Sequence, residues 1–214
     1  MNTTVSFTHC WKKRWSRLAA WLVGALLLLT ATLPCQAQSF HAEVQQLHLQ
    51  VADGGVLLSG NVKFDLSGPV EDALFKGIPM HFVAEAEVFR NRWYWADSKV
   101  GSDSRHMRLS YQPLTRRWRL NVSPTAMGNS GLGVTLNQNF ESLGDALAVV
   151  QRFSQWKIAD LPEGARDAQY YVEFSFRLDV SQLPRPFQIG AVGQSDWNLS
   201  TSQTVQLGRE SNAK

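Results

Sequence analysis

The sequence predicts a mainly β domain, an antiparallel β-sandwich with one amphipathic helix at about 142–153 and a short helical turn at about 69–76. Three observations predict it. Long segments alternate apolar and polar residues with a period of two, turn-forming residues separate them at short spacing, and only one segment carries a clear apolar stripe at helical spacing.

Taken in order, a first strand is expected at about 44–51. Val56, Leu58, Gly60, Val62, Phe64 and Leu66 then alternate with Leu57, Ser59, Asn61, Lys63 and Asp65. Pro69 and Gly77 bracket the short helical turn: a first turn leaves proline's missing N–H unneeded, and glycine tolerates the left-handed cap. Met80, Phe82, Ala84, Ala86 and Val88 alternate with His81, Val83, Glu85, Glu87 and Phe89. A strand at about 92–100 would put Trp93 and Trp95 on one face and Arg92 and Tyr94 on the other, with one aromatic pair in the core. Residues 106–122 read as a hairpin turning at Gln112-Pro113-Leu114-Thr115, with Met107, Leu109, Tyr111, Trp118, Leu120 and Val122 inward. That turn sets Arg108 opposite Arg119 and Ser110 opposite Arg117. Another strand is expected at about 132–139. Ser142 and Asp145 resemble a capping box, followed by the stripe Leu143, Ala146, Leu147, Val150 and Phe153. Tyr170, Val172, Phe174, Phe176, Leu178 and Val180 form the next alternating strand, and the last lies at about 196–207. Between them, Leu183-Pro184-Arg185-Pro186-Phe187 is expected to be an extended crossover, since proline cannot donate to a central ladder. Many short-spaced strands and one real helix suggest an immunoglobulin-like sandwich.

The first 37 residues read differently. Lys12, Lys13, Arg14 and Arg17 precede an uncharged run at 18–33, and Pro34-Cys35-Gln36-Ala37 ends it with small residues three and one before a cut. This is the order of a secretory signal. The run is short of the ~20 residues that span a bilayer, so cleavage after Ala37 is expected; an uncleaved membrane anchor is the alternative. Either way residues 38–214 form one domain, exported across the cytoplasmic membrane. Four of the 21 Lys and Arg, and none of the 18 Asp and Glu, precede residue 38. The mature chain therefore carries 17 cations against 18 acids, which removes the case for nucleic acid. Cys10 and Cys35 both fall in the leader, so the domain has no internal disulfide.

Several segments occur in a recognisable order. They are Asp53-Gly54-Gly55-Val56-Leu57-Leu58-Ser59, Gly77-Ile78-Pro79, Arg92-Trp93-Tyr94-Trp95, Leu109-Ser110-Tyr111-Gln112-Pro113-Leu114-Thr115-Arg116 and Phe140-Glu141-Ser142-Leu143-Gly144-Asp145-Ala146-Leu147. Arg177-Leu178-Asp179, Gln182-Leu183-Pro184-Arg185-Pro186-Phe187-Gln188 and Asp196-Trp197 follow. The ordered set resembles the DUF4390 family of proteobacterial exported proteins, sometimes labelled "proline-rich signal peptide protein". The label fits poorly, since 8 Pro in 214 residues is ordinary. The resemblance implies a periplasmic or membrane-tethered domain, encoded beside a membrane-bound sensor kinase and an rRNA methyltransferase. It brings no activity, cofactor or catalytic residue.

The residues themselves point to binding rather than catalysis. His41, His48, His81 and His106 lack the spacing of a helical zinc site, and His48, His81 and His106 fall on polar strand faces where solvation is expected. Ser130 in Gly128-Asn129-Ser130-Gly131-Leu132-Gly133 lacks the second glycine of a nucleophile elbow, and Leu136 stands where a dinucleotide loop needs its third. Glu85 and Glu87 share a strand face, whereas glycosidase carboxylates flank a cleft. No cofactor and no metal site is expected. The candidate interaction surface is Arg90, Arg92, Tyr94, Arg108, Arg117, Arg119 and Arg185. Arg108, Arg117 and Arg119 would repel one another across the hairpin. Either Glu85, Glu87, Glu173 and Asp179 on neighbouring strands compensate them, or an anionic partner does. Three functions are compatible: an envelope interaction or accessory module linked to a membrane sensor kinase, a binder of anionic glycans or lipid headgroups, and an enzyme with no legible motif.

Overall fold

A computed structural model describes residues 42–52, 54–94, 96–126, 135–161, 170–191 and 193–208. The leader, its processing site, His41, Trp95 and the glycine loop around Ser130 lie outside the described residues. Among the described residues nine strands form: β1 (Glu43–Ala52), β2 (Gly55–Lys63), β3 (Met80–Arg90), β4 (Ser98–Gln112), β5 (Arg117–Ser123), β6 (Leu136–Phe140), β7 (Arg152–Asp160), β8 (Tyr170–Leu178) and β9 (Ser200–Gln206). They make two antiparallel sheets, ordered β1-β2-β7 and β6-β5-β4-β3-β8-β9. The sandwich is as expected. Its neighbour relations, β1-β2-β7 and β9-β8-β3-β4-β5, are those of strands A-B-E and G-F-C-C′-C″ of an immunoglobulin variable-type sandwich, while β6 stays on the larger sheet. That likeness is one of connectivity alone.

The alternation read from the sequence sets the faces. Val56, Leu58 and Val62 of β2, Phe82, Ala84, Ala86 and Val88 of β3, and Val172, Phe174 and Phe176 of β8 are buried. Phe64, Phe82 and Phe176 pack with ring centroids 5.3–5.9 Å apart, and Phe153 meets Phe174 edge-on at 5.3 Å. Such pairs add to the area they bury. Where β7 crosses β4, the Trp156 indole N–H donates to Asp103 Oδ2 at 2.6 Å and the Arg105 guanidinium sits 4.8 Å over its ring. Gly101 lies against β7 there, and a Cβ on it would come within 2.6 Å of Ala159 Cβ.

Among the described residues three short helices pack on the core: α1 (Gly68–Phe75), α2 (Leu143–Gln151) and α3 (Arg185–Ala191). α1 ends as the sequence predicts, with Gly77 at φ +82° and the Gly77 and Ile78 N–H groups returning to the Leu74 and Ala73 carbonyls. α2 starts at the Ser142 cap, whose Oγ accepts from the Asp145 N–H at 3.1 Å. It does not reach 153. Phe153 is buried from β7, a strand the sequence reading missed: its bulges, with Gln155 at φ 45°, blur the period of two. Residues 91–94, 96 and 97 are outside any strand, so the strand expected at 92–100 starts only at Ser98. The stretch at 183–187 is not extended: α3 begins at Arg185, and the Pro184 carbonyl accepts from Phe187 at 2.8 Å. Proline at a helix's first turn forfeits no bond. At the C-terminal end, Ser195–Trp197 is a 3-10 turn and β9 starts only at Ser200.

Candidate interaction surfaces

The seven candidate residues do not converge. β3 and β4 pair Arg90 with Ser98 at one end and His81 with Arg108 near the other. Nine residues at ~3.3 Å each separate Arg90 from His81, or about 30 Å. Arg90, Arg92 and Tyr94 belong to the tip of the β3–β4 hairpin, and Arg108, Arg117 and Arg119 to the far end of β4 and β5. Arg185 is exposed at the start of α3.

At the far end the hairpin register is two residues from the expected one. The turn occupies 113–116, with Arg116 at φ 51°, so Arg108 faces Asn121, Ser110 faces Arg119 and Gln112 faces Arg117. Among the described residues no arginine stands directly opposite another, so the face-to-face repulsion expected across the hairpin does not arise. Arg119 Nε donates to Asn139 Oδ1 at 3.5 Å, and the Gln112 carboxamide lies 3.2 Å away, turned so that its oxygen accepts. Two of the four acids expected to compensate serve other cations: Glu85 takes both terminal nitrogens of Arg177 at 3.0 Å, and Glu87 takes Lys99 at 2.6 Å.

His81 is buried, against the expectation of a solvated histidine. Burial first, then the Arg108 charge, lowers its pKa to about 4, and burial also lowers that of His106. Among the described residues no group of three or more His, Cys, Asp or Glu is placed to hold a metal ion, and no helix is long and apolar enough to cross a membrane.

The tip is different. Asp97 ties its base, accepting from the Arg92 N–H at 3.1 Å and from the Tyr171 hydroxyl at 2.8 Å. That hydrogen bond pushes the Tyr171 hydroxyl up to about 12, and its ring stacks on Phe89 at 5.3 Å. Beyond this anchor Trp93 is 92% exposed and Tyr94 69%, their rings edge-to-face at 5.0 Å. Arg90 and Arg92 are exposed beside them, in no ion pair among the described residues. Sequence reasoning expected a strand at about 92–100 with one of its two aromatic faces in the core, without deciding whether that face held Trp93 or Tyr94. A loop removes the alternation on which that inference depended. The arrangement holds two solvated aromatic faces next to two free guanidiniums, a combination that stacks on flat or apolar groups and pairs with anions.

Comparison with curated proteins and with solved structures yields no match. A family model described as a domain of unknown function, DUF4390, matches residues 39–207, and the chain belongs to that family.

Proposed function

We propose that the domain is a non-enzymatic interaction module of the cell envelope, exported by cleavage after Ala37 into the periplasm as an accessory to a membrane sensor kinase. Its β3–β4 tip contacts an anionic group, in a lipid headgroup or a glycan. The exposed Trp93–Tyr94 pair next to Arg92 and near Arg90 in the chain carries this reading. A large aromatic left in water forgoes the ~1.5–3 kcal/mol that burial supplies, and tryptophan and tyrosine settle at the headgroup level of membranes. Against an enzyme, Glu85 and Glu87, two acids on one strand face, are already engaged in ion pairs.

The test is sedimentation with vesicles of phosphatidylcholine, with or without phosphatidylglycerol, and competition by a soluble phosphorylated oligosaccharide. Binding should need the anionic lipid and fall with salt. A cation near such a surface is worth about 1 kcal/mol, so Arg92→Ala should weaken binding roughly fivefold and Trp93→Ala at least as much. Competition by the oligosaccharide would identify a glycan as the preferred source. Variants that sediment like wild type would exclude the tip.

A further inference from the structure

A sheet edge exposes main-chain donors and acceptors, and proteins usually protect such edges with bulges, charges, proline or short length. Three of the four edges here are so protected. β1 breaks register at a bulge with Gln46 at φ 52°; β7 is bulged and carries Arg152, Lys157 and Asp160; β6 has only five residues. β9 has none of these devices. Its seven residues, Ser-Thr-Ser-Gln-Thr-Val-Gln, pair with β8 without a register shift and include no charge, proline or glycine.

The phase of the ladder shows which groups are free. The Leu207 N–H donates to Tyr170 O at 2.8 Å and the Leu178 N–H to Leu199 O at 2.8 Å. Bonded pairs alternate in an antiparallel ladder, so Thr201, Gln203 and Val205 bond to β8. Ser200, Ser202, Thr204 and Gln206 point their N–H and C=O groups away from the sheet.

Both faces of this edge are concave. On the outer face a trough of about 430 Å³ runs past Ser202 and Thr204 to Glu173, Glu85 and Glu87. On the inner face a cleft of about 510 Å³ lies between β9 and Val44, Lys63, Phe64 and Asp65. There Gln203 Oε1 is buried without a donor among the described residues. Alternate side chains of an added strand would enter the two concavities in turn. Charge selects the occupant. Glu85 and Glu87 are paired, but Glu173, directly across from Glu87, is in no ion pair among the described residues. Glu173 lies one strand in from the edge, within reach of a long cationic side chain laid across Thr204, whereas the β9 of a second copy carries no charge with which to neutralise it.

We propose that β9 is a strand-addition site that takes an extended segment of a partner protein carrying lysine or arginine at alternate positions. The site goes beyond the hairpin tip and stands without it. The probe is a synthetic peptide alternating lysine with valine and threonine, against its lysine-to-glutamate counterpart, added to the full-length chain. Binding is followed by fluorescence anisotropy, and the Ser202 and Thr204 amides by hydrogen exchange. The lysine peptide should bind and protect both amides. Thr204→Pro removes an outward N–H while leaving the β8 ladder whole, and should weaken binding roughly tenfold or more. Glu173→Lys leaves the backbone untouched, should reverse the preference between the peptides, and decides the matter if Thr204→Pro does not fold. Trp93→Ala should change neither affinity. Failure of the lysine peptide to bind, equal binding of both peptides, binding that both variants leave intact, or a dimer of the wild-type chain that Thr204→Pro dissolves would each overturn the proposal.

Discussion

His81 shows how far a residue's setting departs from its position in the sequence. It occupies the polar phase of β3, yet it is buried, and its carbonyl accepts from the Asp179 N–H at 2.7 Å. With its pKa lowered to about 4 by burial and by Arg108, opposed by Asp179, the folded chain keeps it neutral where the unfolded chain protonates it near 6.5. Between those two values the unfolded state binds more protons, so stability rises with pH. As pH falls from 6.5 to 4, wild type should lose more melting temperature than His81→Gln, by on the order of 5 °C. Parallel slopes for the two proteins in thermal melts would show that another group titrates there.

The β4–β5 hairpin is where an element's register corrects a pattern. Trp118 is 3% exposed and faces Tyr111, with Phe75 of α1 edge-on at 5.3 Å. Its inward direction was legible from the shared parity of Trp118, Leu120 and Val122. Its partner was not, because a shift of two residues preserves parity and only the turn decides it. Trp118→Ala should cost about 3–5 kcal/mol, a large part of the ~5–15 kcal/mol that holds a domain together. Urea titration of the variant should show a much lower midpoint or little folded protein.

At the scale of the molecule, residues 38–214 contain no cysteine, so reductant should not move the melting temperature; a shift of several degrees in calorimetry would contradict this. The sandwich is held by its aromatic core and by the seam where Trp156 meets Asp103 and Arg105. Its two candidate surfaces have different origins. The hairpin tip is a loop in which aromatics stay in water, and β9 is a strand that the strand order leaves at a sheet edge among the described residues.

The sequence by itself determined the β class, the inward faces of β2, β3, β5 and β8, the caps of α1 and α2, and the family. All follow from local periodicity or a contiguous motif. Only the tertiary structure decided that Trp93 stands in solvent, that Arg108 faces Asn121, that Phe153 sits in a bulged strand, and that β9 ends a sheet. Each of these depends on which strand lies beside which, and a period of two carries a strand's face without naming its neighbour.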